Sequence, residues 1–305
     1  TTIGTPEEAG GAGGTLSDLA AVLRIAGRHA APVPLAETAM LAAWMLTSSA
    51  IAVPRGPLAA GPSGPEVLHA RRDAGRWVLS GVLPRMPWGR IAHRLVILAQ
   101  AESGGIVATI DPARCEIRAG RNLAGEPRDS VMLRDVPAED AAPATKVTRS
   151  ALKARGALAR ALLMAGALER ALELAVRYAQ ERVQFGRRIG QFQAVQQELA
   201  RFAGEVAAAL AAALSAAGVM ERGGDVTLAV ASAKIRTAEA ARTGALIAHQ
   251  IHGAIGVTDE HPLHHATLRL WSWREEYGNE AEWAVMLGGI TQKRGADQLW
   301  PALTT

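Results

Sequence analysis

The sequence predicts a mainly helical chain with a small β domain set in its middle, and three observations predict it. Hydrophobic residues make up 49% of the 305 positions, and much of that share is alanine, the strongest helix former. Between about residues 62 and 143 the apolar pattern changes to short alternating runs broken by Gly, Asp and Pro. From about residue 144 onward the helical period returns and is sustained over long stretches.

In order, residues 1–61 form a first helical segment. Its opening is rich in Gly, Thr and Glu and reads as loop, and a helix follows behind Thr15 with Leu16, Leu19, Leu23 and Ala26 on one face. Pro32 and Pro34 stop it, and residues 35–46 make a second apolar helix. In 62–143, RWVLSGV (76–82), HRLVILAQ (93–100), 105–110, 115–118 and 131–133 read as strands, and their spacing predicts a small antiparallel sandwich or barrel. The segment 144–305 gives long helices over 150–180, 192–220 and 227–252, then shorter ones over 263–274 and 281–287. Helices joined by short connections make a C-terminal four-helix bundle.

Bulk properties narrow the function. The 33 basic and 29 acidic residues leave a formal charge of +4 without a Lys/Arg block, which argues against nucleic acid as a partner. The single cysteine, Cys115, cannot form an intrachain disulfide and fits a reducing, cytoplasmic setting. No charged and apolar leader is visible, and the longest apolar stretches, such as 206–220, are alanine-rich and interrupted, so no membrane span is expected. His252, His261, His264 and His265 lack partners at zinc-like spacing, and no metal site is expected.

Two stretches carry chemistry. In YAQERVQFGRRIGQFQAVQQ (178–197), Arg182, Arg187 and Arg188 surround a helix end with Gln184, Gln193, Gln196 and Gln197 close by. Guanidinium forks match phosphate oxygens, and glutamine amides suit a base or flavin edge. The same cations also complement a helix C-terminus, and the residues alone leave both readings open. In QIHGAIGVTDEHP (250–262), Gly253 and Gly256 follow a helix, where they either cap it or let backbone approach a ligand.

The first stretch, extended to YAQERVQFGRRIGQFQAVQQELA, resembles the helix–turn–helix signature of the acyl-CoA dehydrogenase family, and QIHGAIGVTDEHPLHHATLRLW resembles that family's second signature. TPEEAGG and LSDLAAVLRIAGRHAAPVPLAETAMLAAWML resemble the later part of its N-terminal helical domain, and RWVLSGV its middle β domain. The resemblance implies an acyl-CoA dehydrogenase-like fold and an FAD-dependent oxidoreductase acting on acyl-CoA or another acyl thioester, with an electron-acceptor flavoprotein. It also implies a homo-oligomer, or a hetero-oligomer with a homologous subunit. Position by position, Arg182, Gln184 and Phe185 fall at the FAD pyrophosphate and adenine, Phe192 and Gln193 near the adenosine, and Gln250, Gly253 and Ala254 along the same dinucleotide.

Three departures bear on activity. The chain begins partway through the family's N-terminal domain, which implies a partner over the surface left bare. The family's Thr-Glu-Pro and Gly-Ser-Asp flavin motif is absent; Ala52, Val53, Pro54, Arg55 and Gly56 stand near its place, and Met86, Pro87 and Trp88 replace an aromatic–hydroxyl stretch. The usual base, a glutamate before a glycine, aligns with Tyr277 before Gly278, and the alternative base positions fall near Gly156 and Leu163. Glu276, one residue away, is the candidate base; the other reading of Glu275 and Glu276 is solvated charge near a helix end. A non-catalytic FAD-site partner subunit and a flavin oxidase or monooxygenase of the same fold are the alternatives.

Overall fold

The computed structural model describes residues 3–62, 64–298 and 301. By compactness the chain divides into two units, one of Thr1–Leu23 and Ala31–Ala159, the other of Arg24–Ala30 and Arg160–Thr305.

Helix α1 (Leu16–Arg28), which belongs to the first unit as far as Leu23, has its start fixed by a reciprocal cap. The Asp18 N–H donates to Thr15 Oγ1 at 3.0 Å, and the Thr15 N–H donates to Asp18 Oδ2 at 2.8 Å. The second helix differs from the sequence expectation: Ala36–Ala42 is a π-helical stretch that runs into α2 (Ala43–Ser48). Over seven residues the two helix types bury nearly the same positions, so apolar spacing does not separate them. Thr38 in this stretch is buried, and its hydroxyl both donates to Leu58 O and accepts from Leu58 N, tying the helix to the first strand.

The β region is one eight-stranded mixed sheet: β1 (Leu58–Gly61), β2 (His69–Asp73), β3 (Arg76–Pro87), β4 (Arg94–Ala101), β5 (Gly104–Ile110), β6 (Glu116–Arg118), β7 (Arg128–Pro137) and β8 (Ala141–Pro143). The order is β6-β7-β3-β2-β4-β5-β8, with β1 also pairing β4. This corrects the purely antiparallel expectation, because β1 and β2 both run parallel to β4. Both strands lacked a sequence signal for physical reasons. β1 is LAAG, without a β-branched residue, and β2 is HARRD, with only Ala70 buried. Leu79, Leu83, Leu95, Ile97, Ile106, Ile110, Val131 and Leu133 form the core on the sheet. One buried carboxylate, Asp129, is fully satisfied by the backbone N–H groups of Arg90 and Gly120 and by the Arg90 guanidinium.

The second unit holds the bundle. Its helices are α3 (Arg149–Glu181), from residue 160 on, then α4 (Gln193–Arg222), α5 (Val226–His252), α6 (Leu263–Arg274) and α7 (Glu280–Arg294). α7 runs further than the apolar pattern implies, through Gly288 and Gly289. The helices meet at backbone distance: a Cβ at Gly166 would stand 1.9 Å from Arg24 O, and one at Gly244 would stand 2.4 Å from the Phe202 ring. The Arg24–Glu169 pair at 2.8 Å flanks the first of these crossings. By length and composition α4 is apolar enough to cross a membrane; here Phe202, Val206, Ala209, Ala213, Ala216 and Ala217 are buried within the bundle unit. Ala203, Ala207, Ala211 and Leu214, on another face, are exposed.

Candidate functional site

The first stretch folds as a miniature hairpin after α3. β9 (Val183–Gln184) pairs antiparallel with β10 (Arg187–Arg188), Gln184 opposite Arg187. Phe185 and Gly186 at the tip have φ of 52° and 78°, the positive pair a tight two-residue turn requires. This geometry pushes Phe185 out until it is 91% exposed. Phe192 packs edge-to-face against it at 6.2 Å and carries the Arg187 guanidinium over its ring at 4.0 Å. Arg182, Gln184 and Gln193 are exposed and make no side-chain hydrogen bond or ion pair among the described residues. The Arg182 side chain is therefore not bonded to the helix-end carbonyls, as a capping cation would be.

The second stretch closes α5. Gly253 adopts φ 63° and ψ −144°, a region reserved for glycine, and its N–H donates to His249 O. A Cβ there would meet open space, whereas one at Gly256 would stand 2.9 Å from His252 Cβ. Gln250 and Ala254 are exposed beside Gly253, and Gln250 is also without a side-chain partner among the described residues. The two stretches are brought together by aromatic stacking. Tyr178, one turn before Arg182, stacks on His252 at 4.7 Å, and His252 meets His261 at 4.5 Å. Burial holds His249, His252, His261 and His265 below the ordinary histidine value, which suits neutral stacked rings. Among the described residues no group of three His, Cys, Asp or Glu side chains is placed to hold a metal ion.

The third element is the α6–α7 turn. Arg160 Nε, on α3, donates to Glu276 Oε2 at 2.6 Å, with the arginine side chain 2% exposed and the glutamate 9%. Lys234, fully buried on α5, donates to Arg274 O at 2.6 Å. Burial pulls Lys234 down to about 7, an effect opposed by the nearby Glu276 and Glu275 carboxylates. Glu275 is exposed. Tyr277 is buried with φ 56°; its carbonyl accepts from Trp283 Nε1 at 3.0 Å, and the Arg160 guanidinium lies 5.4 Å from its ring. Sequence reasoning missed Arg160 and Lys234. Their signal is a charge set in a mainly apolar helical run, ALARALLMAG for Arg160 and AVASAKIRTA, with Arg236 close by, for Lys234, and it needs a distant partner to be interpretable.

A family profile described as "Acyl-CoA dehydrogenase, C-terminal domain" matches residues 145–279, the span that contains all three elements. The acyl-CoA dehydrogenase IpdE2 of Mycobacterium tuberculosis is 33% identical over 265 residues, covering 85% of this chain and 73% of that protein. The chain belongs to the acyl-CoA dehydrogenase family. Among solved structures of the fold, the ChsE4–ChsE5 complex from Mycobacterium tuberculosis superposes with a TM-score of 0.87 at 25% identity, over 97% of this chain and 85% of the other. A variant of the Tcur3481–Tcur3483 steroid ACAD gives 0.82 at 26% identity, over 96% and 85%. The helix–sheet–bundle order of this acyl-CoA dehydrogenase family member is therefore that of its relatives, and the two signature stretches lie on adjacent helix ends.

Proposed function

We propose that this chain is a subunit of an FAD-dependent acyl-CoA dehydrogenase, one that works with a second, homologous chain. The observation that carries the reading is the donor set at the two adjacent helix ends. The Arg182 guanidinium and the amides of Gln184, Gln193 and Gln250 have no side-chain partner among the described residues. Open space lies over Gly253, where backbone can approach a ligand. This set fits the pyrophosphate and adenine end of FAD: Arg182 for the phosphates, the glutamines for the base and ribose, and Phe185, Phe192 and Ala254 as apolar neighbours. Bound FAD supplies the hydride acceptor for α,β-desaturation of an acyl thioester. At the flavin end the fit is poorer, because Met86 and Trp88 are buried in the first unit. The donors are half a site on an exposed surface, which suits a cofactor shared between chains.

The protein's own residues also suggest where proton abstraction occurs. A base must reach the α-carbon of the thioester. Glu276 is engaged by the buried Arg160, and Tyr277 fills the neighbouring position with its ring buried. In this reading Glu276 and Arg160 hold the α6–α7 turn in shape, and a carboxylate of the second chain takes the proton. The exposed apolar stripe Ala203, Ala207, Ala211 and Leu214 supports an extensive subunit interface. The likeness to the ChsE4–ChsE5 complex and to the Tcur3481–Tcur3483 steroid ACAD supports a hetero-oligomer. A cytoplasmic setting and a flavoprotein electron acceptor complete the proposal.

Arg182→Ala tests it. Losing a charge-assisted contact of about 1.5–3 kcal/mol lowers flavin retention about tenfold or more. Full flavin content after dialysis of the variant would leave Arg182 without a role in the site.

A further inference from the structure

Arg155 differs from three other arginines that are withdrawn from solvent. Arg90, Arg128 and Arg160 each hold a carboxylate, at 2.5, 3.2 and 2.6 Å. Arg155, on α3 within the first unit, holds none among the described residues. Its guanidinium lies over the Trp44 indole, 4.4 Å from the ring centroid, and Nη1 reaches only the Met40 sulfur, at 4.0 Å. Thioether sulfur is a weak acceptor, so most of the five N–H donors are unused. Burial alone pulls this arginine down to about 10, and no acid opposes the effect. Arg155 as a residue is half-buried, so it is not sealed from solvent.

A guanidinium drawn toward an apolar wall without an anion is costly to keep charged. The cost is offset when the anion arrives with a ligand. The indole fixes the plane of the fork, and a fixed fork matches a carboxylate or phosphate bidentately. Met40 is fully buried, and it belongs to the π-helical stretch, a backbone feature that often accompanies functional positions. The surroundings therefore offer an apolar wall next to an anion fork, which suits an amphipathic acid.

We propose that Arg155, backed by Trp44, is a specificity-determining residue that binds an oxyanion of the acyl thioester, either a carboxylate on the acyl part or a phosphate of the CoA part. The inference rests on the acyl-thioester reading above.

Calorimetric titration of the flavin-loaded protein tests it, with glutaryl-CoA, butyryl-CoA and free CoA as probes. Arg155→Met keeps an apolar stem against Trp44, and Arg155→Lys keeps the charge without the fork. If the oxyanion is an acyl carboxylate, the Met variant weakens glutaryl-CoA at least tenfold and leaves butyryl-CoA and free CoA unchanged. If it is a CoA phosphate, all three weaken together by that factor. In either case the Lys variant falls between wild type and Met. A Met variant that binds all three within twofold of wild type, with only its melting temperature lowered, overturns the inference and leaves the thioester reading standing. Wild-type protein that binds none of the three overturns both.

Discussion

Replacing Glu276 with glutamine separates a structural carboxylate from a catalytic one. Glu276 Oε2 accepts from Arg160 Nε at 2.6 Å, and the arginine side chain is 2% exposed. The substitution keeps the shape and one acceptor oxygen but leaves a guanidinium in the interior without its anion. Removing one partner of such a pair costs about 3–5 kcal/mol, and the retained hydrogen bond holds the loss nearer the lower figure. Lys234 softens it further: Glu276 supports the lysine's charge, so in the variant the ammonium gives up its proton more readily. The expected result is a urea-unfolding free energy lower by about 2–4 kcal/mol with unchanged m-value. Turnover per folded molecule, with the second chain present, stays within a few-fold. Pairing Glu276→Gln with Arg160→Met recovers much of the stability, since an apolar replacement leaves no orphan charge. A variant with wild-type stability and flavin content whose turnover falls by orders of magnitude refutes this reasoning and makes Glu276 the base.

Other outcomes follow from the same structure. Gly166→Ala sets a Cβ 1.9 Å from Arg24 O, a backbone atom that cannot swing aside, so chemical denaturation reads a loss of about 1–3 kcal/mol or more. Lys234 is held at about 7 in the folded chain against its ordinary 10.5, so the folded state binds fewer protons between those values; stability rises with pH across that window, and Lys234→Met removes the slope. The lowered His249, His252, His261 and His265 act in the same sense at lower pH: their contribution is complete above about 6.5 and is lost as pH falls, seen as a falling melting temperature under mild acid. Light scattering gives an oligomer, with itself or a homologous chain, joined through an interface of about 2,000 Å² or more, and a stable flavin-bound monomer at micromolar concentration contradicts the shared site.

The helices and the central strands were legible because each writes its period locally. α3, α4 and α5 carry apolar faces over many turns, and β3 and β4 alternate or run aliphatic. The sheet strands that escaped, β1, β2 and β8, are defined by pairing with β4 or β5 rather than by their own residues. The contrast recurs in the site. Arg182, Gln184 and Gly253 stand in contiguous motifs, whereas Arg160 finds Glu276 across 116 residues and Lys234 finds Arg274 across 40. A buried ion pair between a helix and a distant turn has no local pattern, and a single sequence shows only two separate charges. Arg155 is the same problem in sharper form, because the anion we propose for it lies outside the chain.

We propose above that this chain helps hold FAD in a complex that oxidises acyl thioesters. The most direct test is the visible absorbance of the purified protein, prepared alone and with a homologous partner, before and after anaerobic addition of an acyl-CoA. The expected flavin band is strongest in the paired preparation, weakened by Arg182→Ala, and bleached by substrate. A colourless paired complex, or a flavin band that no acyl-CoA bleaches, contradicts the proposal.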